Sequence, residues 1–324
     1  FIDLRGKSFD DPLWEDLFDN MSASEFDRTI ARCGYQTPSV TSINKPKSVD
    51  LDGPAGLNAI VGHASVAMSY PCEVLIAQTW NEQLAYEMGV SVGEDGLMSD
   101  TEGWYAPAMN IHRTPFAGRN FEYYSEDSYL SGVMGSAAVS GAASKGMYSF
   151  IKHYALNDQE DHRNGLVTWS NEQAIREIYL KPFEMCVKSG TQTIFYYELE
   201  TDEDGNTTYT RSETEVPVCT AIMSSFNRIG YTWAGGNWHL LTQVTRNEWG
   251  FNGFILTDYD NGGYMNTEQM LRAGGDAKLS QYGSYNASDD SPADTYYARQ
   301  AAKHIFYAVV NSAAVNGFIH GVEE

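Results

Sequence analysis

Short apolar runs that each stop at a charged or polar residue recur along this chain, separated by stretches with the spacing of amphipathic helices. Val49-Asp-Leu51 stops at Asp52, Tyr148-Ser-Phe-Ile151 at Lys152 and His153, Cys219-Thr-Ala-Ile-Met223 at Ser224, and Phe254-Ile-Leu-Thr257 at Asp258. Strands that alternate with helices are parallel strands joined by helical crossovers. No composition break marks a linker. Over 324 residues the expected fold class is therefore α/β, and a TIM-like (β/α)8 barrel fits better than a doubly wound sheet. Its first strands are expected to be irregular, because Gly53 and Pro54 break the run at Asp52.

Between these runs the helices are legible. Leu13, Trp14, Leu17, Phe18 and Met21 share helical spacing, and Ser22-Ala-Ser-Glu25 reads as a capping box before Phe26 and Ile30, so two helices are expected over 10–34. Thr79-Trp-Asn-Glu82 reads as a second capping box, opening a helix with Leu84, Met88 and Val92 on one face. Further helices are expected over 131–145, 171–188, 238–248 and 293–315. Residues 196–216, rich in Glu, Asp and Thr, read as an acidic hairpin insertion turning at Asp204-Gly205-Asn206.

In a parallel barrel the active site lies at the carboxyl ends of the strands. Asp52, Lys152, His153 and Asp258 all fall there, and Arg119 lies in a polar, aromatic loop that starts there. A carboxylate is seldom buried unless something pairs with it or uses it. An Asx turn or cap that stops the strand is the competing reading of Asp258. Several charged groups converging on one face favour chemistry over capping. His112 and Arg113, in the same loop, read as structural.

The charge of −22, with 43 acids against 21 bases, argues against nucleic acid as a partner and leaves sugars and other neutral substrates. No apolar run is long enough to span a bilayer and no leader is visible, so a soluble chain without a membrane partner is expected, cytoplasmic or secreted. The chain begins at Phe1, which fits processing, trimming, or one piece of a longer protein. Cys33, Cys72, Cys186 and Cys219 show no metal-ligand spacing, and Asp258-Tyr-Asp260 has no companion ligands, so neither metal nor cofactor is expected. No GxGxxG or GxxxxGK[ST] pattern points to a nucleotide. Asn20, Asn206 and Asn286 open N-x-[ST] triplets too short to argue from.

A lone carboxylate among Arg, Lys, His and a further Asp suits a retaining glycosidase, in which an ionised carboxylate attacks the anomeric carbon and a second carboxyl protonates the leaving group. Tyr259 and Trp104 are placed to stack on a sugar face. Asp52-Gly-Pro-Ala-Gly-Leu57, Gly118-Arg-Asn-Phe-Glu-Tyr-Tyr-Ser-Glu-Asp127, Lys152-His153 followed by Asn157-Asp-Gln-Glu160 and Arg163, Ile222-Met223-Ser-Ser-Phe-Asn227, and Gly253-Phe-Ile-Leu-Thr-Asp258-Tyr259 together resemble glycoside hydrolase family 3 of the β-glucosidase type, in order and over nearly the whole chain. The resemblance implies Asp258 as nucleophile, Asp52 as the acceptor for the O4 and O6 hydroxyls of the subsite −1 sugar, and Arg119, Lys152, His153 and Arg163 as holders of the other hydroxyls, with Met223 and Tyr259 also at the substrate. It further implies a distorted or cis peptide at Lys152-His153, since on a regular strand only one of the two would face a pocket.

Departures from the family pattern are Tyr259 for its usual Trp, Phe226 where a Tyr often bonds the nucleophile, and Asn58 for an Arg. The N-acetylglucosaminidase branch, with its Lys-His-Phe-Pro-Gly-His pattern, is not matched by Lys152-His-Tyr-Ala-Leu-Asn157. No convincing acid/base carboxyl is present. Glu122 and Glu160 are candidates but read as partners of Arg or Lys. In many members of the family the acid/base sits on an α/β sandwich domain, which precedes the barrel in a permuted branch. The whole of 1–324 is expected to be the barrel domain, with the sandwich domain or a second chain as partner. The expected activity is exo-hydrolysis of terminal non-reducing β-D-glucosyl residues from a β-glucoside or short β-glucan oligosaccharide. The alternatives are a carbohydrate-binding barrel with little activity alone, or β-xylosidase or β-galactosidase specificity.

Overall fold

Runs of alternating strand and helix become, in a computed structural model, a curled parallel sheet wrapped by helices; residues 1–58, 67–202, 204–260, 263–285 and 291–316 are described, so Asn286 lies outside them. Seven strands form the sheet in chain order: β1 (Gln36–Thr37), β2 (Ser48–Asp52), β3 (Gly103–Tyr105), β4 (Tyr148–Tyr154), β5 (Ala221–Ser224), β6 (Phe254–Tyr259) and β7 (Ala277–Leu279). β2 to β7 are parallel, while the short β1 runs antiparallel to β2, so the sheet has an irregular first strand. The segment before β1 closes the ring. Cys33 N donates to Lys278 O and Gly34 N to Ser280 O, both at 3.0 Å, while Asp50 N donates to Tyr35 O on the other side at 3.1 Å. The fold is a TIM-like barrel.

The period of two in each strand sorts side chains between two environments. Tyr105, Phe150, Phe254, Leu256 and Met223 point inward and form one core, in which the Phe150 ring meets Tyr105 and Phe254 edge-on at 4.9 Å each. Their neighbours Ile151, Ile222 and Ile255 point outward under one set of helices, and Val49, Leu51 and Trp104 under another. Gly103 shows how tightly the interior is filled. A Cβ there would lie 2.0 Å from Asp50 Oδ1, the oxygen that accepts the Tyr148 hydroxyl at 2.6 Å.

Helices cover the outside. The Glu82–Ser99 helix packs against the Ser128–Ala143 helix at van der Waals range, because Gly89 and Gly141 offer only hydrogens where a Cβ would meet a backbone oxygen at 2.1 Å. Ser22 forms the expected capping box on the Ala23–Ala31 helix. Thr79 does not. Asn81 caps the next helix by accepting from Gln83 N, and the Thr79 hydroxyl instead donates to Ile76 O. The 171–188 stretch is helical with a π turn over Ile175–Tyr179, and His239–Glu248 is also π-helical. The last helix spans Pro292–Val310 and is followed by a short Ala313–Asn316 turn of helix. The acidic insertion is a hairpin of Thr191–Thr201 and Thr207–Pro217, longer than expected, and lies outside the barrel against the N-terminal segment, where the Arg5 guanidinium donates to Tyr197 O. Among the described residues no helix is long and apolar enough to cross a membrane.

Candidate active site

Because strands alternate in and out, the last inward residue of each strand faces the open end of the barrel. Those residues are Asp52 on β2, Tyr105 on β3, Lys152 on β4, Met223 on β5, Asp258 on β6 and Leu279 on β7, and all line one cavity of about 440 Å³. That volume lies within the range of small-molecule sites. Arg119 and Arg163 enter from loops, and His153 and Tyr259 complete the set. Every residue that the motifs singled out as catalytic or substrate-binding therefore lies on this wall. Lys152 and His153 both face it, and the peptide bond between them is cis.

Asp258 sits at the floor, 8% exposed. Its Oδ1 accepts the Tyr259 N–H at 2.7 Å, while its Oδ2 is buried without a hydrogen-bond partner. Phe226, where a Tyr would carry a hydroxyl, lines the same cavity and offers no donor. Burial raises the Asp258 carboxyl to about 6, against the pull of the Tyr259 N–H and of the Arg119, Arg163 and Lys152 cations. His153 Nε2 stands 3.8 Å from Oδ2. Burial, and then the charges of Arg119, Lys152 and Arg163, hold His153 well below its ordinary range, so it is a neutral ring. Asn110 grips its backbone from both sides, accepting from His153 N at 2.8 Å and donating to His153 O at 3.0 Å.

Asp52 is the opposite case. Burial works to raise its carboxyl, but Lys152 Nζ, donating to Oδ1 at 2.7 Å, and Gly53 N, donating to the same oxygen at 2.8 Å, hold it below the usual range. It stays ionised and accepting. Glu122 forms an ion pair with Arg119 and stands 4.0 Å from Lys152 Nζ. Glu160 accepts from Asn157 Nδ2 and from Arg163, each at 2.9 Å, and Arg163 lies over the Phe226 ring at 4.4 Å. These two carboxylates brace the cations from behind, and neither lines the cavity.

Two expectations need correction or extension. Trp104 does not meet a sugar: it is fully buried on the outer side of β3, and its indole N–H donates to Gly53 O at 2.8 Å. Its neighbour Tyr105 faces the cavity instead, beside Tyr35, whose N–H donates to the Tyr105 hydroxyl at 2.9 Å. Register carried the signal for Tyr105, since it pairs with Asp52 across β2 and β3. Asp260 is bound to Lys278 at 2.7 Å.

Residues 35–280 match the glycosyl hydrolase family 3 N terminal domain. The chain is 35% identical over 237 residues to Beta-glucosidase A of Butyrivibrio fibrisolvens, covering 73% of this chain and 25% of that protein. It is 32% identical to a Beta-glucosidase of Ruminococcus albus, covering 71% of this chain and 21% of that protein. The chain thus spans about a quarter of the length of these curated relatives. Its fold is similar to that of beta-glucosidase 3B from Thermotoga neapolitana in complex with glucose, with a TM-score of 0.74 and 28% identity over 93% of this chain and 43% of that one.

Proposed function

The chain belongs to glycosyl hydrolase family 3, and from that membership we propose that it carries the sugar-binding and nucleophilic half of a retaining β-glucosidase acting on terminal non-reducing β-D-glucosyl residues. One observation carries the reading: Asp258, whose buried Oδ2 has no hydrogen-bond partner, lines a cavity walled by cations and by an ionised Asp52. A buried acceptor without a partner is rare and calls for a ligand. Here that ligand is the anomeric carbon. The Asp258 carboxylate attacks it, the bond to the leaving oxygen breaks, and a glucosyl ester on Asp258 remains until water displaces it.

The walls suit a neutral sugar. Asp52 accepts from two hydroxyls on the far side of the ring, while Lys152, Arg119, Arg163 and neutral His153 donate to the others, and Tyr259 and Met223 bound its apolar face. We assign the whole of 1–324 to the barrel domain.

The missing part is the proton donor. A general acid must hold a proton near neutral pH and reach the leaving oxygen. Asp52 is ionised, and Glu122 and Glu160 are turned toward their cations. We therefore assign the acid/base to an α/β sandwich domain or a second chain. An aryl 2-deoxy-2-fluoro-β-glucoside with a good leaving group tests the nucleophile: peptide mass spectrometry should find one glucosyl ester, on Asp258. Absence of a label removes this reading in favour of a barrel that binds carbohydrate without cleaving it, and a label on another carboxylate removes Asp258 as the nucleophile.

A further inference from the structure

Beside the active-site cavity, and sharing none of its lining residues, lies a second cavity of about 350 Å³. The same chain segment serves both. Residues 152, 153 and 163 face the first, whereas Leu156, Asp158, Gln159 and the strand Val167–Thr168 with Trp169 face the second. Trp169 stands 85% exposed at its wall, which is unusual for a residue this large and apolar. Tyr179 lines another wall, and the Arg113 guanidinium lies 5.6 Å over its ring, holding the Tyr face in place. Asp158 is anchored by Ile111 N, which donates to Oδ1 at 2.7 Å, and its second oxygen makes no hydrogen bond among the described residues. Gln159 adds an amide that both donates and accepts.

An exposed indole, a fixed phenol ring and convergent carboxylate and amide groups match a hexose, which presents an apolar face and a rim of hydroxyls. A nucleotide or other polyanion is disfavoured by the net charge of −22. We propose that this cavity is a second sugar-binding site, which holds a neutral glucosyl unit of a β-glucan oligosaccharide against Trp169 while Asp158 and Gln159 take its hydroxyls. The choice of a glucosyl ligand rests on the glycosidase reading of the Asp258 cavity. Occupancy here would keep a chain-like substrate on the surface between turnovers.

The test separates the two cavities. The chain is first glucosylated with the activated 2-fluoro-glucoside, which fills the Asp258 site, and is then titrated calorimetrically with cellotetraose. One site should remain. Trp169→Ala should weaken it on the order of tenfold or more and Trp169→Phe should retain it, while both variants are glucosylated at the parent rate. Absence of binding to the glucosylated chain, or equal binding by Trp169→Ala and the parent, overturns the second site and leaves the catalytic reading standing. If no label attaches, yet cellotetraose binds in a Trp169-dependent way, the catalytic reading falls and the second site is supported. Trp169 is exposed, so its replacement does not threaten folding.

Discussion

Replacing Asp258, the proposed nucleophile, should stabilise the fold, by an amount that depends on pH. Asp258 titrates near 6 in the folded chain against an ordinary 3.8, because burial penalises its charge more than Tyr259 N–H and the nearby cations favour it. At 1.36 kcal/mol for each pH unit, the ionised carboxylate costs the folded state about 3 kcal/mol at neutral pH. The folded chain holds this proton more tightly than the unfolded chain does. The cost is therefore present in full above pH 6, shrinks as pH falls through 6, and is gone below 3.8. Asp258→Asn carries no charge at any pH, so it should be more stable than the parent by up to about 3 kcal/mol at pH 7.5 and by little at pH 4. With unfolding entropy near 2.1 cal/mol/K per residue, a 324-residue chain shifts its melting temperature by one degree for roughly 0.7 kcal/mol, so the expected gain is about 4 °C. Differential scanning fluorimetry of both proteins at pH 7.5 and pH 4.5 measures it, and every other titrating group cancels in the difference. A variant that melts with the parent at pH 7.5, or whose advantage does not shrink at pH 4.5, would show that Asp258 is not strained by burial.

Four further outcomes are expected. Asp52→Ala should weaken glucose-type inhibitors by about 2–3 kcal/mol, a loss of roughly 30- to 150-fold, because an ionised acceptor for two hydroxyls is removed; an unchanged Ki makes Asp52 structural. On dinitrophenyl glucoside, kcat/KM should fall below a pH of about 6 as Asp258 takes up its proton, and a rate that stays flat down to pH 4 contradicts that assignment. The isolated chain should barely hydrolyse cellobiose while still being glucosylated by dinitrophenyl glucoside, since general acid catalysis is worth roughly 10²–10⁴-fold and only the natural leaving group needs it. Rapid cellobiose turnover by a chain shown by mass to be alone puts the acid within 1–324, with Glu122 and Glu160 first to mutate. Gly89→Val should lower stability by about 1–3 kcal/mol in thermal unfolding, because its Cβ would stand 2.1 Å from Ala138 O; an unchanged melting temperature would mean that the two helices part freely.

What the sequence made legible follows from how local the governing physics is. Apolar runs that end on charge are set by neighbouring residues, and they placed Asp52, Lys152, Met223 and Asp258 at strand ends without any knowledge of the sheet. The hairpin turn at Gly205, with φ at +81°, is equally local. Failures arose where two local options competed or where direction mattered. Thr79 and Asn81 both could cap, and the Asn81 side chain took the Gln83 N–H. Trp104 and Tyr105 are adjacent aromatics at one strand end, and composition does not say which faces inward. The register of β3 on β2 decides it, by pairing Tyr105 with Asp52.

Tyr35 marks the limit of such reading. It reaches the cavity because residues 33 and 34 hydrogen-bond to residues 278 and 280 and so bring the two ends of the sheet together. No period in the sequence encodes that closure. The same closure sets the character of the site. Asp258 lies deep in the mouth so closed, 8% exposed, while the cations that would pair with it are held back. Glu122 and Glu160 draw Arg119 and Arg163 toward themselves, and Asp52 draws Lys152. Each cation is thus occupied by another carboxylate, and Oδ2 of Asp258 is left bare. The braces and the bare oxygen are one arrangement: removing Glu160 should free Arg163 to swing toward Asp258 and lower its carboxyl toward the ordinary range, trading nucleophilicity for a salt bridge.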